Sequence, residues 1–226
     1  MAGGFEILYD PDGLLLRCTR TEHPNTACPS RVGHDGSMSD DPLRERLHVV
    51  VLGHLGPVRV ELVEHHPVWK QRFASHAHRI RDALGIGAAR VEHIGSTAVP
   101  GLAAKPIIDV LLVVDDPADE ASYLPELENA GYELRVREAD LDEHRMLRTP
   151  TDDVHIHVFP AWSAEIDRYL TLRDHLRASP AARAVYEARK RELANREWPT
   201  MDHYASAKGA VIEALIAEAG RSAREC

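Results

Sequence analysis

The chain reads as an α/β domain: a small mixed sheet flanked by helices, with a helical C-terminal third. Three observations predict this. Ile107 to Val114 is a β-branched, nearly unbroken apolar run, the pattern of a strand buried on both faces. Val154 to Phe159 alternates with period two, placing Val154, Ile156 and Val158 on one side and His155, His157 and Phe159 on the other. From Ser163 onward, apolar residues recur at helical steps behind Ser and Pro start signals.

The sequence has 226 residues, 44% apolar and 28% charged, enough for one sizeable core. No apolar run approaches the roughly twenty residues of a membrane helix, and no basic segment leads into an apolar one at the N-terminus. Neither insertion nor secretion is indicated, and a cytoplasmic location is expected. A formal charge of −9 argues against general affinity for nucleic-acid backbone, though a local basic pocket remains able to hold a small anion. Cys18, Cys28 and Cys226 share no metal-ligand spacing and fit a reducing compartment.

Residues 1–57 read as a poorly structured extension, 58–220 as the domain and 221–226 as a tail. Phe5 to Tyr9 and Leu14 to Arg17 flank a DPDG turn and predict a hairpin. Thr19 to Arg46 is polar and aperiodic, and His23, Cys28 and His34 within it are too irregularly spaced for a metal site. Val49 to Leu52 and Val58 to Val63 are expected as strands at the sheet edge or covering it. Pro67 opens a helix whose stripe is Trp69, Phe73, Ala77, Ile80 and Leu84, and Gly85 stops it. His76 and His78 lie off or beside that stripe.

Val91 to Ile94 is a short strand ending at Gly95. The loop that follows carries Gly95, Ser96, Thr97, Pro100, Gly101, Lys105 and Pro106, more special residues than a plain connection needs. Gly95 lets a backbone approach a ligand closely, and the hydroxyls of Ser96 and Thr97 beside consecutive N–H groups suit a phosphate. Asp109 stands inside the apolar strand, where a carboxylate is costly unless it is paired, hydrogen-bonded or metal-bound. Asp115 and Asp116 precede Pro117 and read as a helix-capping pattern ahead of Tyr123, Leu124, Leu127 and Ala130.

Tyr132 to Val136 returns as a strand, and Arg145 and Arg148 then interrupt an acidic segment. His155 and His157 share one face of their strand, as a pair able to bind metal or exchange protons, or as structural histidines. Ser163, Ser179 with Pro180, and Thr200 each start a C-terminal helix, the last running to Gly220. Arg173 and Asp174 read as a surface or inter-helix ion pair. With only four lysines beside 23 arginines, Lys105 and Lys208 stand out as compact cations able to reach a phosphate.

The run HIGSTAVPGLAAKPIID resembles the signature of the GrpB family, within the nucleotidyltransferase superfamily. VELVEHHPVWKQRF, HRMLR, VHIHVF, LRDHLR, Tyr204 and Lys208 follow in the family's order, so the resemblance covers roughly Val58 to Ala219. It implies a nucleotidyltransferase-like fold in which Gly95, Ser96 and Thr97 hold nucleotide phosphates and Asp109 holds a divalent metal, Mg or Mn. It also brings Arg145, in HRMLR, forward as a phosphate contact. His157 lies where related enzymes place a third acidic ligand, as catalytic residue and metal ligand. The superfamily pattern has a second carboxylate two residues after the first, where this chain has Leu111. Two expectations follow: transfer of a nucleotidyl group, with His157 and a carboxylate from 138–153 completing the site, or a non-catalytic module that binds a nucleotide or CoA-like ligand. A third reading has Asp109 simply bracing its own loop. No GxxxxGK[ST] or GxSxG stretch occurs.

Overall fold

The computed structural model describes residues 5–9, 15–20, 49–51, 57–85 and 90–225. Strands β1 (Phe5–Tyr9) and β2 (Leu15–Arg20) pair antiparallel, while the expected DPDG turn between them lies outside the described residues. The polar arm beyond Arg20, with His23, Cys28 and His34, lies outside the described residues. In chain order there follow β3 (Val49–Val51), β4 (Val58–Arg59), α1 (Val68–Leu84), β5 (Arg90–Ile94), β6 (Ile108–Val114), α2 (Leu124–Asn129), β7 (Glu133–Glu138), β8 (His144–Arg148), β9 (Val154–Pro160), α3 (Ala164–Ala178), α4 (Pro180–Ala194), β10 (Glu197–Trp198) and α5 (Met201–Glu225).

Six strands form one sheet in the order β3-β7-β8-β9-β6-β5. β6 and β9 run parallel, with Asp109 opposite His155 and Leu111 opposite His157, and the other neighbours are antiparallel. The sheet is therefore mixed, and its parallel pair β6 and β9 is covered on both faces. Ile108, Val110 and Leu112 of β6 and Val154, Ile156 and Val158 of β9 pack with Trp69, Ala77 and Ile80 of α1 and Leu127 of α2. On the other face Leu111, Val113 and Phe159 meet Ile166, Tyr169, Leu172 and Leu176 of α3, Tyr186 of α4, and Ile212 and Leu215 of α5. Each fully buried side chain of this size contributes about 1.5–3 kcal/mol, so shared burial rather than any single contact holds the helices down. Period two puts Asp109, His155 and His157 on the face of α3–α5.

The helix starts are those the sequence announces. Ser163 Oγ accepts from Glu165 N at 3.2 Å, and Ser179 Oγ accepts from Ala182 N at 3.1 Å with Pro180 in the first turn. Gly85 ends α1 at φ 70°. Asp116 Oδ1 accepts from Ala118 N at 2.9 Å, a turn-bracing role and not a metal one.

Two expectations need correction. The stretch 58–63 forms only a two-residue strand, pairing with β10, plus a bridge from Val63 to Ala104, so it covers the helical side and does not extend the sheet. Val60 there joins Leu193, Trp198 and Tyr204 in a separate small cluster. Nor does Gly220 end the last helix, which continues to Glu225. An interior glycine costs only about 1 kcal/mol relative to alanine, too little to stop a helix flanked by Ala, Glu and Arg.

Candidate functional site

The loop after β5 makes one tight 3₁₀ turn, Ser96–Ala98, entered through Gly95 at φ 68°. A Cβ at Gly95 would lie 2.1 Å from Asp109 Oδ2, so the carboxylate occupies the space that only a glycine leaves open. The amides of Ala98 and Val99 donate to the carbonyls of Gly95 and Ser96, which commits them to the turn itself. Thr97 is buried, and its hydroxyl lies 3.1 Å from His93 Nε2. His93 stacks on Phe73 with ring centroids 4.6 Å apart; burial first, and then Arg177 and Arg173, lower its pKa to about 3. His93 is therefore neutral and braces the loop from behind.

Below the turn lies a small pocket lined by Leu62, Ser96, Thr97, Lys105, Ile107, Asp109, Lys190, Tyr204 and Lys208. Three of the chain's four lysines thus meet on one concave surface, from the loop, from α4 and from α5. Lys190 Nζ donates to Ser96 Oγ at 3.1 Å and to Ala103 O at 2.5 Å, and sits 4.9 Å from the centroid of Tyr186. Its pKa is lowered well below the usual lysine value, by burial first and then by the neighbouring Lys208 ammonium. Lys208 sits 4.5 Å from the Tyr204 ring centroid, and Lys105 Nζ is 3.5 Å from Met201 Sδ. Lys190 escapes sequence reasoning because it falls among ordinary helix residues; the scarcity of lysine that singles out Lys105 and Lys208 applies equally to it.

Asp109 also belongs to a second group. Asp109, His155 and His157 are 4%, 6% and 1% exposed, and one donor atom from each lies within 4.8 Å of the others. Asp109 Oδ1 is 3.8 Å from His155 Nδ1 and 4.0 Å from His157 Nε2. Tetrahedral bonds of ~2.1 Å place donors about 3.4 Å apart, a difference that small side-chain rotations cover. Two imidazoles and a carboxylate are a donor set that divalent transition ions accept, so these residues fit a metal.

Behind each imidazole stands an acid. His155 Nε2 is 3.1 Å from Asp152 Oδ1, and the hydrogen bond to His155 holds the Asp152 carboxyl well below its ordinary range. His157 Nδ1 is 3.2 Å from His144 Nε2, whose Nδ1 is 2.6 Å from Glu138 Oε2. Burial pushes the Glu138 carboxyl up to about 7, while His157 pulls the other way. The carboxylate expected from 138–153 is therefore present twice, each time behind a histidine and not beside Asp109.

Arg145 does not join the pocket. Its guanidinium donates to Glu120 Oε1 at 2.7 Å and to Glu143 Oε2 at 3.2 Å, and Arg137 clamps the same Glu120. This pairing lowers the Glu120 pKa to about 2, Arg137 contributing most. Arg148 pairs with Asp152, and Arg173 with Asp174, Glu92 and the His93 carbonyl, all bracing roles. Leu111, at the second-carboxylate position, is wholly buried in the core under α3–α5.

A family model described as GrpB protein matches residues 59–218. The chain belongs to the GrpB family. A UPF0157 protein of Halalkalibacterium halodurans is 47% identical over 187 residues, covering 82% of this chain and 96% of that protein. Another, from Streptomyces coelicolor, is 46% identical over 176 residues, covering 78% and 92%. The crystal structure of the conserved protein GrpB from Enterococcus faecalis matches with a TM-score of 0.63 at 34% identity, covering 72% of this chain and 98% of that one. The matched region of this GrpB-family chain contains both the lysine pocket and the Asp109 group. No helix among the described residues is long and apolar enough to cross a membrane.

Proposed function

We propose that this GrpB-family protein binds a nucleotide by its phosphates in the lysine pocket, with a divalent metal at Asp109, and transfers the nucleotidyl group to an acceptor hydroxyl. The convergence of Lys105, Lys190 and Lys208 on the Gly95–Ser96 turn, in a chain of net charge −9, is the observation that carries this reading. At 4 Å and an effective dielectric of 20, each ammonium–phosphate pair gains about 4 kcal/mol before desolvation. Burial first, and then the Lys208 ammonium, lower the proton affinity of Lys190, and a polyanion beside the lysines offsets the repulsive part.

In the transfer, the acceptor oxygen bonds to the α-phosphorus, the bond from that phosphorus to pyrophosphate breaks, and the hydroxyl proton leaves to water. Lys105 and Lys208 hold the β- and γ-phosphates in line, and Lys190 fixes the Ser96 hydroxyl against them. Asp109, which lines the pocket, would hold an ion together with His157. A bound ion supplies neutralisation of phosphate charge and a more acidic acceptor hydroxyl.

Leu111 favours a second reading, recognition of a nucleotide or CoA-like ligand without turnover, because the two-metal arrangement asks for a carboxylate where this core leucine sits. Calorimetry with ATP, CTP and CoA, with and without magnesium or manganese, tests binding. Labelled nucleotide and a pyrophosphate assay, with Asp109→Asn as control, test transfer. Binding with pyrophosphate release supports the first reading and binding without it the second. Silence in every titration leaves Asp109 as a brace for its own loop and refutes both.

A further inference from the structure

We infer that Asp109, His155 and His157 form a face for one transition ion of the zinc class, and that Asp152 and the Glu138–His144 pair are positioning residues that aim the two imidazoles at it. The inference rests on the proposed function only for the presence of a metal at Asp109. It concerns which ion, how many, and what holds the ligands.

Donor chemistry selects the ion. Magnesium demands oxygen ligands in near-ideal octahedral geometry, whereas neutral imidazole suits zinc and its first-row neighbours, whose affinities rise toward the right of the row. Two of the three donors are imidazole nitrogens. The stoichiometry follows from position: the strand residue that would bridge a second ion is Leu111, packed in hydrocarbon.

Tautomers select the geometry. An imidazole can ligate only through a nitrogen that carries no proton, and the partner of its other nitrogen decides which one that is. The Asp152 carboxylate accepts from His155 Nε2–H, leaving the lone pair on Nδ1, the atom 3.8 Å from Asp109. On the other side, above pH 7, where Glu138 is ionised, Glu138 accepts from His144 Nδ1–H and His144 Nε2 accepts from His157 Nδ1–H, leaving the lone pair on Nε2, the atom 4.0 Å from Asp109. Two independent hydrogen-bonded chains, arriving from β7–β8 and from the turn before β9, thus end with lone pairs directed at one carboxylate. Ring contacts fix the planes: His144 lies 4.5 Å from Phe159 and 5.4 Å from His157, nearly parallel to the latter at 10°.

The test uses the full chain. Zinc, manganese and magnesium are titrated by calorimetry, and long-range ¹⁵N–¹H spectra read the histidine tautomers of the metal-free protein. We expect one zinc per chain, bound more tightly than manganese, and magnesium weakest. We also expect the Nδ1–H form at His157 and the Nε2–H form at His155. His144→Phe keeps the stacked ring and removes its nitrogens; it should lower zinc affinity by about 10–100-fold and release the His157 tautomer to a mixture. Glu138→Gln keeps an acceptor for His144 and should stay within about threefold of the parent, a split that general loss of packing does not produce. Nε2–H at His157 in the parent protein, unchanged zinc affinity in His144→Phe, two zinc ions per chain, or magnesium bound more tightly than zinc each overturns the inference. The tautomer readout needs no variant, so misfolding of His144→Phe leaves the question decided. ATP titrated without metal separates the two readings: ATP binding that depends on the lysines, beside a failed zinc result, refutes this inference alone, and normal zinc binding with no ATP binding refutes the proposed function alone.

Discussion

Gly95 and Asp109 offer the sharpest quantitative test, because their proximity makes a double substitution informative. In Gly95→Ala the new Cβ would stand 2.1 Å from Asp109 Oδ2 and 2.8 Å from Asp109 Cγ, far inside contact distance, on a backbone held at φ 68°. A backbone at φ 68°, ψ −173° is essentially open to glycine alone and costs another residue about 1–3 kcal/mol. Forcing the carboxylate aside in a packed interior adds about 1–3 kcal/mol. The expected loss is thus roughly 2–6 kcal/mol, which for a chain of this size lowers Tm by roughly 4–24 °C. In an Asp109→Ala background the carboxylate is gone, so Gly95→Ala should cost only the backbone part. Urea denaturation of the four proteins then yields a coupling energy of about 1–3 kcal/mol, in the sense that the two losses add to more than the double variant shows. Strict additivity would refute the claim that this glycine exists to admit that carboxylate.

Three further outcomes are expected. Lys190→Met keeps the buried stem and removes the ammonium; stability by chemical denaturation should change by no more than about 1–2 kcal/mol, while ATP affinity by calorimetry falls by about tenfold or more. Because the folded-state pKa of His93 is depressed to about 3, its contribution to stability is full above 6.5 and is lost as pH falls from there toward 3. At pH 4.5 the loss is about 3 kcal/mol by linkage, and His93→Phe, which preserves the stack on Phe73, should show a correspondingly flatter denaturation profile between pH 7 and 4.5. Arg145→Ala leaves Glu120 short of one partner and should cost about 1–3 kcal/mol in denaturant, with ATP affinity unchanged, because its guanidinium is spent on Glu120 and Glu143.

Local pattern carried the reading as far as single elements. The unbroken apolar run around Asp109, the alternation through His155 and His157, and the Ser–Pro helix starts are all decided within a few residues, and the structure has them in place. What remained hidden is which elements become neighbours. Lys190 is an unremarkable helix residue until α4 packs under the loop, 94 residues earlier in the chain, and meets Ser96. Glu138 and Asp152 were visible as acids in an acidic segment, but only the β7–β8–β9 pairing puts each one behind a histidine. Arg145 illustrates the converse: its motif pointed to a ligand, whereas cross-strand pairing supplied Arg137 alongside and the turn before α2 supplied Glu120.

The parallel seam between β6 and β9 has one more implication, for assembly. A shift of β9 by a single residue would swing both histidines toward the α1 layer and present Ile156 and its valine neighbours to Asp109 instead; a shift by two would set Phe159 where His157 belongs. Compact but misaligned chains would look native by helix content and yet be unable to take up an ion. If the Asp109 group takes the inferred ion, its uptake during refolding would double as a ruler for strand alignment, separating correct closure of the sheet from mere collapse.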